Sequence, residues 1–535
     1  MGSGFLFKRA VLVFLMLTLS FAGMGKRMFS LGEDSMQTAG VSSGMSVDIV
    51  SLRGTIYDCN MNPLTNAETE VYAAAKPTNR ALGKLKESLP PMIFESVKER
   101  MSKGKPVVVK TDLPVEADGD IKNVFVARRY SESSLACHVI GYLDGEKNGV
   151  SGIEKAYDAI LAKAGSYAAA RFSANAGGRV MLGEDVEISG AETPVAGVAL
   201  TIDNDIQQIT ELALDNSGAE CAAAVVIEIE SGAIKACVSR PAFDPDNIAE
   251  SLNNPHSPLI NRAFLPFSVG SVFKPVVAAA ALENGIDSSF EYNCTGSVVH
   301  NGVTFNCHKH AGHGVLDMQG AVANSCNTYF IALAIAAGAE KIIETAEAFH
   351  FGEEIVFANG MKSSAGYLPQ ADELDSRAAI ANVSFGQGSL LATPVQICAM
   401  TAAIARNGVY VRPYLVEGEV NENGELTRII GYGERKQIIS ESTSKKLRKY
   451  LEKVVEEGSG RKTRSDIVAC AGKTATAQTG KSENGEEIYN AWFSGYFPAE
   501  NPKYAVTIFK ENGGEGALSC APIFKTIAET VMLSE

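Results

Sequence analysis

Ser271 and Lys274 stand three residues apart in Ser271-Val272-Phe273-Lys274. If Ser271 opens a helix, both side chains leave the same face as neighbours. A hydroxyl is a weak nucleophile until a base takes its proton, and a lysine can be that base when burial lowers its pKa. The positive end of the helix favours the anion that develops. Taken alone, the pair is a weak signal, since most such matches are a capping serine and a surface lysine. Two further groups argue against that reading. Ser325-Cys326-Asn327 offers a second hydroxyl for proton relay and an amide to hold a peptide group. Gly472-Lys473-Thr474-Ala475-Thr476 follows an apolar run from Ile467 that reads as a strand. There a lysine and a hydroxyl can receive a substrate carboxylate, and an edge strand can pair with an extended peptide. Together the three groups point to acyl transfer through a serine.

Such a site needs elements to hold it. The periodicities predict strands over 199–203, 222–229 and 234–238, with Asp203 or Asn204 capping a helix over 206–214. Helices are expected over 272–282, 318–337 and 394–405, then strands over 467–471, 491–497 and 504–510 and a last helix over 526–532. Strands, a helical middle and strands again make an α+β fold with helices on one antiparallel sheet. Upstream, residues 80–104 read as helical, and 107–110 and 124–128 as strands. That region holds no cluster of catalytic residue types and reads as a spacer or docking module.

The 535 residues exceed one ordinary domain. With 46% hydrophobic and 21% charged residues, the composition is globular. A net charge of −14 argues against a nucleic-acid partner, which needs a basic surface. Lys8-Arg9, the apolar run Ala10 to Gly25 and Lys26-Arg27 predict a single-pass membrane anchor with a cytoplasmic N-terminus and an exported catalytic region. A cleaved signal peptide is the rival reading, weakened by a poor cleavage match at Ser20-Phe21-Ala22. The expected organisation is tail and anchor over 1–27, linker over 28–47, an N-terminal domain over 48–195 and the catalytic domain over 196–535.

Ten cysteines in a chain of this length do not form a disulfide scaffold. Cys294 and Cys307 bracket a loop-like stretch and could bridge in an oxidising compartment. With His300, His308, His310 and His313 nearby they are also zinc-competent ligand types, although the spacing fits no standard zinc pattern. Reduced thiols among polar histidines are the third reading. The expectation carried forward is a possible disulfide and no metal.

The three motifs in this order resemble the active-site set of the class B penicillin-binding proteins, monofunctional peptidoglycan D,D-transpeptidases. The resemblance extends to Arg53-Gly54-Thr55-Ile56-Tyr57-Asp58, His138-Val139-Ile140-Gly141-Tyr142, Gly152-Ile153-Glu154, Gly386-Gln387-Gly388 and Thr393-Pro394, from about residue 50 to near the end of the chain. It implies a serine β-lactamase-like transpeptidase domain preceded by a smaller α+β pedestal or dimerisation-type domain and one transmembrane helix. It also implies a serine acyl-enzyme formed from a D-Ala-D-Ala stem peptide and resolved by an amine of a second strand, with β-lactams as inhibitors. Ser271 would be the nucleophile, Lys274 its base and Ser325 the proton relay. Asn327 would orient the peptide, and Lys473, Thr474 and Thr476 would hold the terminal carboxylate. The amides of Ser271 and Thr476 would form the oxyanion hole. No cofactor is implied, and a polytopic glycosyltransferase is the implied membrane partner. Three positions depart from the family pattern. Ala475 stands where the family has glycine, so its methyl is expected to narrow the cleft. Cys59 and Met61 stand where arginine and glycine are usual.

The rivals lack their own signatures. Gly472-Lys473-Thr474 and Gly480-Lys481-Ser482 fail as phosphate loops, because Ile467 and Ala475 occupy required glycine positions. No Glu-x-x-Leu-Asn pattern lies between Asn327 and Lys473, so the deacylating glutamate of a class A β-lactamase is missing. Glu-Asp-x-x-Phe, the mark of a bifunctional glycosyltransferase, is absent. A D,D-carboxypeptidase, a β-lactam sensor and a catalytically weakened scaffold of a wall-synthesis complex remain as alternatives on sequence alone.

Overall fold

The structure, a computed structural model, describes residues 11, 13–14, 16–28, 43–175, 177–429, 434–483 and 485–535. The described residues of the N-terminal apolar run are helical, with Phe14, Leu17 and Phe21 among the uncovered side chains. The rest of that run, and the linker over 29–42, lie outside the described residues. Residues 43–47 of the expected linker belong instead to a strand, Ser43–Leu52, paired with Ser166–Ala174.

The chain divides into two compact units, and it crosses between them more often than a single boundary near residue 195 allows. One unit holds Glu68–Arg129 and Gly165–Thr193 with the chain up to Leu52; the other holds Arg53–Ala67, Tyr130–Ala164 and Pro194–Glu535. Strand pairing explains this. Thr55–Tyr57 runs parallel to Gly197–Leu200, and Gly54 N donates to Leu161 O at 2.8 Å, so both segments join the larger unit. Arg53 is pinned there too, donating to the fully buried Glu154 at 3.2 Å and to Asp158 at 2.8 Å.

In the smaller unit, Glu68–Ala75 is the middle strand between Val107–Thr111 and Ile121–Arg128. Helices Asn79–Ser88 and Pro91–Ser102 replace the one helical stretch expected, because Pro90 and Pro91 stop the first and start the second. Leu85, Val97 and Met101 close the core below them.

The larger unit is built on five antiparallel strands. We label its elements α1 (Asn204–Asn216), β1 (Ala222–Glu228), β2 (Ile234–Arg240), α2 (Lys274–Glu283), α3 (Asn327–Ala337), α4 (Pro394–Ala405), β3 (Ala471–Glu483), β4 (Glu486–Phe497), β5 (Tyr504–Lys510) and α5 (Ala521–Ser534). The strand order is β2-β1-β5-β4-β3, which makes β3 an edge. Alternation along β1 sends Ala223, Val225 and Ile227 into one core and Ala222, Ala224 and Val226 into the other. Both faces are therefore covered, and β1 reads as a continuous apolar run. All twelve residues of α4 are buried, and Cys398 in it donates to the carbonyls of Val225 and Ala505. On the opposite side α5 buries Ile523, Phe524, Ile527 and Val531. Residues 516–534 are long and apolar enough to cross a membrane, but α5 packs its apolar side chains into the core shared with β4 and β5.

Two departures from the expected elements shape the site. The strand expected from Ile467 starts at Ala471, because Ser465 Oγ accepts from the amides of Ile467 and Val468 and holds a turn. Gly472-Lys473-Thr474 therefore opens β3. The helix expected over 318–337 breaks into Met318–Ala323 and α3, and the break is Asn324-Ser325-Cys326. Ser325 takes a left-handed φ of +52° there, a conformation that side chains rarely adopt.

Candidate active site

Ser271 lies in a single 3-10 turn, Gly270–Phe273, that runs directly into α2. Gly270 is favoured by its left-handed φ of +60° and by close approach: a Cβ there would stand 3.2 Å from Thr476 O and from the Ala477 methyl. The turn that carries Ser271 is thus pressed against edge strand β3. Gly386 closes it from behind. Gly270 N donates to Gly386 O at 2.9 Å, and a Cβ on Gly386 would overlap the Gly270 carbonyl at 2.0 Å. This accounts for glycine at the start of Gly386-Gln387-Gly388. Trp492 fixes the preceding segment by donating Nε1–H to Ser268 O at 2.9 Å.

Lys274, in the first turn of α2, is fully buried. Its Nζ donates to Ser325 O at 2.6 Å, Ser325 Oγ at 3.2 Å and Asn327 Oδ1 at 2.8 Å. Loss of hydration lowers its pKa to about 7. Lys473 reaches the same hydroxyl from β3, donating to Ser325 Oγ at 2.9 Å and to Thr474 O at 2.9 Å. Burial, and then the neighbouring Lys274, hold Lys473 well below the usual lysine range. Asn327 turns its amide nitrogen to Asn306 O at 3.1 Å. The left-handed turn at Ser325 is what allows one tripeptide to place a hydroxyl between two lysines and an amide oxygen on one of them.

The structure thus brings Lys274, Ser325, Asn327 and Lys473 into one hydrogen-bonded set, with the Ser271 turn beside it. The direct Ser271–Lys274 pairing expected from the sequence is not made. Ser271 is part-exposed, and its hydroxyl has no hydrogen-bond partner among the described residues. Catalytic pairs of this kind often tighten only with substrate bound. Thr474 bonds Ser459 Oγ at 2.8 Å, a partner that no motif signalled. Thr476 is exposed on the edge strand, and its Oγ1 accepts from Gly516 N at 3.3 Å.

Two expectations are corrected here. The Ala475 methyl does not narrow an open cleft: the residue is 3% exposed and packs in the core that also holds Ala477 and Trp492. Cys294 and Cys307 do not bridge; both are free thiols. Each Sγ lies 3.5 Å from His313 Nδ1, so both are turned toward the imidazole.

Fold and site together place the chain in a class. Residues 222–529 match the model of the penicillin-binding protein transpeptidase domain, and the chain belongs to that family. It is 31% identical to penicillin-binding protein PbpB of Mycolicibacterium smegmatis, over 76% of this chain and 64% of that protein. It is 30% identical to stage V sporulation protein D of Bacillus subtilis, over 74% and 62%. The chain therefore spans somewhat under two thirds of the length of these two relatives. It is also 26% identical to the peptidoglycan D,D-transpeptidase MrdA of Acinetobacter baumannii, over 76% and 66%. Among solved structures, the D,D-transpeptidase domain of a peptidoglycan glycosyltransferase from Eggerthella lenta superposes with TM-score 0.66 and 26% identity, covering 90% of this chain and 99% of that one. Penicillin-binding protein 3 of Mycobacterium tuberculosis, complexed with aztreonam, gives 0.65 and 26%, covering 92% and 97%.

Proposed function

We propose that the chain is a peptidoglycan D,D-transpeptidase acting through an acyl-enzyme on Ser271. The observation that carries this is the Ser325 hydroxyl held between two buried lysines, with the Ser271 turn pressed on an edge strand beside it. An extended stem peptide adds to β3 by main-chain pairing. Its penultimate D-Ala carbonyl then faces Ser271, and Asn327 and Thr476 hold the flanking groups. Lys274, kept near neutrality by burial, takes the Ser271 proton as Oγ attacks. The Ser271 and Thr476 amides receive the oxyanion. Collapse of the tetrahedral adduct breaks the peptide bond. Ser325 passes a proton to the departing D-Ala nitrogen and is resupplied from the lysine pair. An amine of a second stem peptide then attacks the ester, loses its proton by the same relay and leaves Ser271 free. Lys473 and Thr474 anchor the terminal carboxylate.

β-Lactams would acylate the same serine; a protein with this fold, penicillin-binding protein 3 of Mycobacterium tuberculosis, is known in complex with aztreonam. The N-terminal helix with its uncovered apolar side chains anchors the chain in the membrane, and the smaller unit serves as pedestal and docking module for a polytopic glycosyltransferase. The test is crosslinking of lipid-linked, polymerised substrate. Dimeric muropeptides joined through the released D-Ala position are expected. Trimmed monomers alone would instead mark a D,D-carboxypeptidase.

A further inference from the structure

A second chemical centre adjoins the first. Cys326, between the two site residues Ser325 and Asn327, is fully buried. Its Sγ meets Cys307 Sγ at 3.9 Å. Cys307 Sγ and Cys294 Sγ each lie 3.5 Å from His313 Nδ1, and the four donor atoms all fall within 4.8 Å of one another. We propose that Cys294, Cys307, Cys326 and His313 bind one zinc ion, and that this ion pins the turn presenting Ser325 and Asn327.

The donor set and its spacing both fit. Three thiolates and one imidazole are a structural zinc set, with Zn–S near 2.3 Å and Zn–N near 2.0–2.1 Å. Tetrahedral angles then require S···S of about 3.8 Å and S···N of about 3.6 Å. The separations of 3.9 Å and 3.5 Å match these. A disulfide needs sulfurs about 2.05 Å apart and would leave the third thiol and the imidazole unused.

The surrounding fold gives a second argument. Cys294 ends the strand Tyr292–Cys294, paired with Gly314–Leu316; Cys307 directly follows Val303–Asn306, paired with Ser297–His300. The hairpin Ser297–Asn306 and the strand pair that brackets it are drawn together at tight crossings. A Cβ on Gly296 would overlap His310 O at 1.9 Å, and one on Gly312 would overlap Cys294 O at 2.2 Å. Few of their apolar side chains are buried: Phe305 is, whereas Val299, Val303 and Val315 are exposed. A loop-rich excursion with so little core needs a staple, and a metal supplies one. Cys307 N donates to Gly296 O at 2.8 Å, which sets the two sulfur-bearing segments side by side. Sequence spacing hid the site because the fourth ligand lies inside the Ser-x-Asn motif, 19 residues beyond Cys307.

The ion explains how a strained turn is kept. Ser325 sits at φ +52°, so the tripeptide needs an anchor on the side away from the lysines. Cys326 bound to zinc provides it. Asn306, whose carbonyl accepts from Asn327, directly precedes ligand Cys307. The positioning part of the proposal rests on the proposed function; the metal part does not.

The test is elemental analysis of the full-length protein in detergent, purified under reducing conditions. About one zinc per chain is expected, and the cobalt-substituted protein should show the strong visible absorption of a tetrahedral cobalt thiolate. His313→Ala and Cys294→Ser should each weaken zinc binding by more than about tenfold. Ser271→Ala should keep its zinc, which separates failure of the metal site from failure of the acylation reading. Chelation should slow penicillin acylation and zinc should restore it. Zinc far below one per chain in the wild type would overturn the proposal. So would retention of zinc by both ligand variants, or a Cys294–Cys307 disulfide in the unreduced peptide map. An acylation rate indifferent to chelation would overturn the positioning role.

Discussion

Lys473 Nζ donates to Ser325 Oγ at 2.9 Å, while Lys274 Nζ approaches the same oxygen at 3.2 Å from the opposite motif. One hydroxyl thus joins helix α2 to edge strand β3. Both nitrogens keep other acceptors without it: Ser325 O and Asn327 Oδ1 for Lys274, Thr474 O for Lys473. Ser325→Ala should therefore cost only about 1 kcal/mol of stability while slowing acylation by about 10²–10⁴-fold, the usual range for a lost proton-transfer group. Stopped-flow acylation by a chromogenic cephalosporin and a thermal melt measure the two effects.

How much of this was legible differs between residues. The three motifs point to Ser271, Lys274, Ser325, Asn327 and Lys473 by residue type and order, and the structure joins the last four in one hydrogen-bonded set. The helix break at Asn324-Ser325-Cys326 was hidden, since the run over 318–337 is apolar enough to read as one helix and nothing local announces a left-handed serine. Ser459 and Asn306 were invisible for a different reason: each serves the site through a contact between segments far apart in sequence. The two units are expected from the sequence, but the repeated crossing of the chain between them is not, because Thr55–Tyr57 pairs with a strand some 140 residues later, a relation that local pattern does not encode.

Ala475 was expected to shape the cleft and is instead 3% exposed in the apolar core. Ala475→Gly removes packing and adds backbone freedom. It should destabilise the protein by about 0.5–1 kcal/mol and leave the acylation rate close to wild type. A large gain in rate, measured in the same cephalosporin assay, would show that the methyl does obstruct substrate.

Arg53 is 5% exposed and its partner Glu154 is fully buried, so the pair has little water to fall back on. Arg53→Met takes the guanidinium from beside that carboxylate and should cost about 3–5 kcal/mol. Adding Glu154→Gln should restore part of the loss, because no buried charge then remains. Urea unfolding followed by tryptophan fluorescence reads both, Trp492 being the single tryptophan.

His138 is buried, with Nε2 2.7 Å from Pro258 O and its ring edge-on to Phe243. Burial lowers its pKa from 6.5 to about 4. Because the folded value is depressed, the unfolded chain binds the proton first. The neutral histidine's contribution is complete above pH 6.5 and is lost as pH falls from there toward about 4. The loss amounts to about 3 kcal/mol. Urea midpoints taken through this window should fall more steeply for wild type than for His138→Gln, and parallel slopes would contradict the assignment.

Acylation of Ser271 is read by labelling the protein with a fluorescent penicillin. Wild type should carry a covalent label that survives denaturation, and peptide mapping should place it on Ser271. Ser271→Ala should fold with an unchanged melting temperature and take no label. Label retained by that variant, or mapped to another residue in the wild type, would contradict acylation at Ser271.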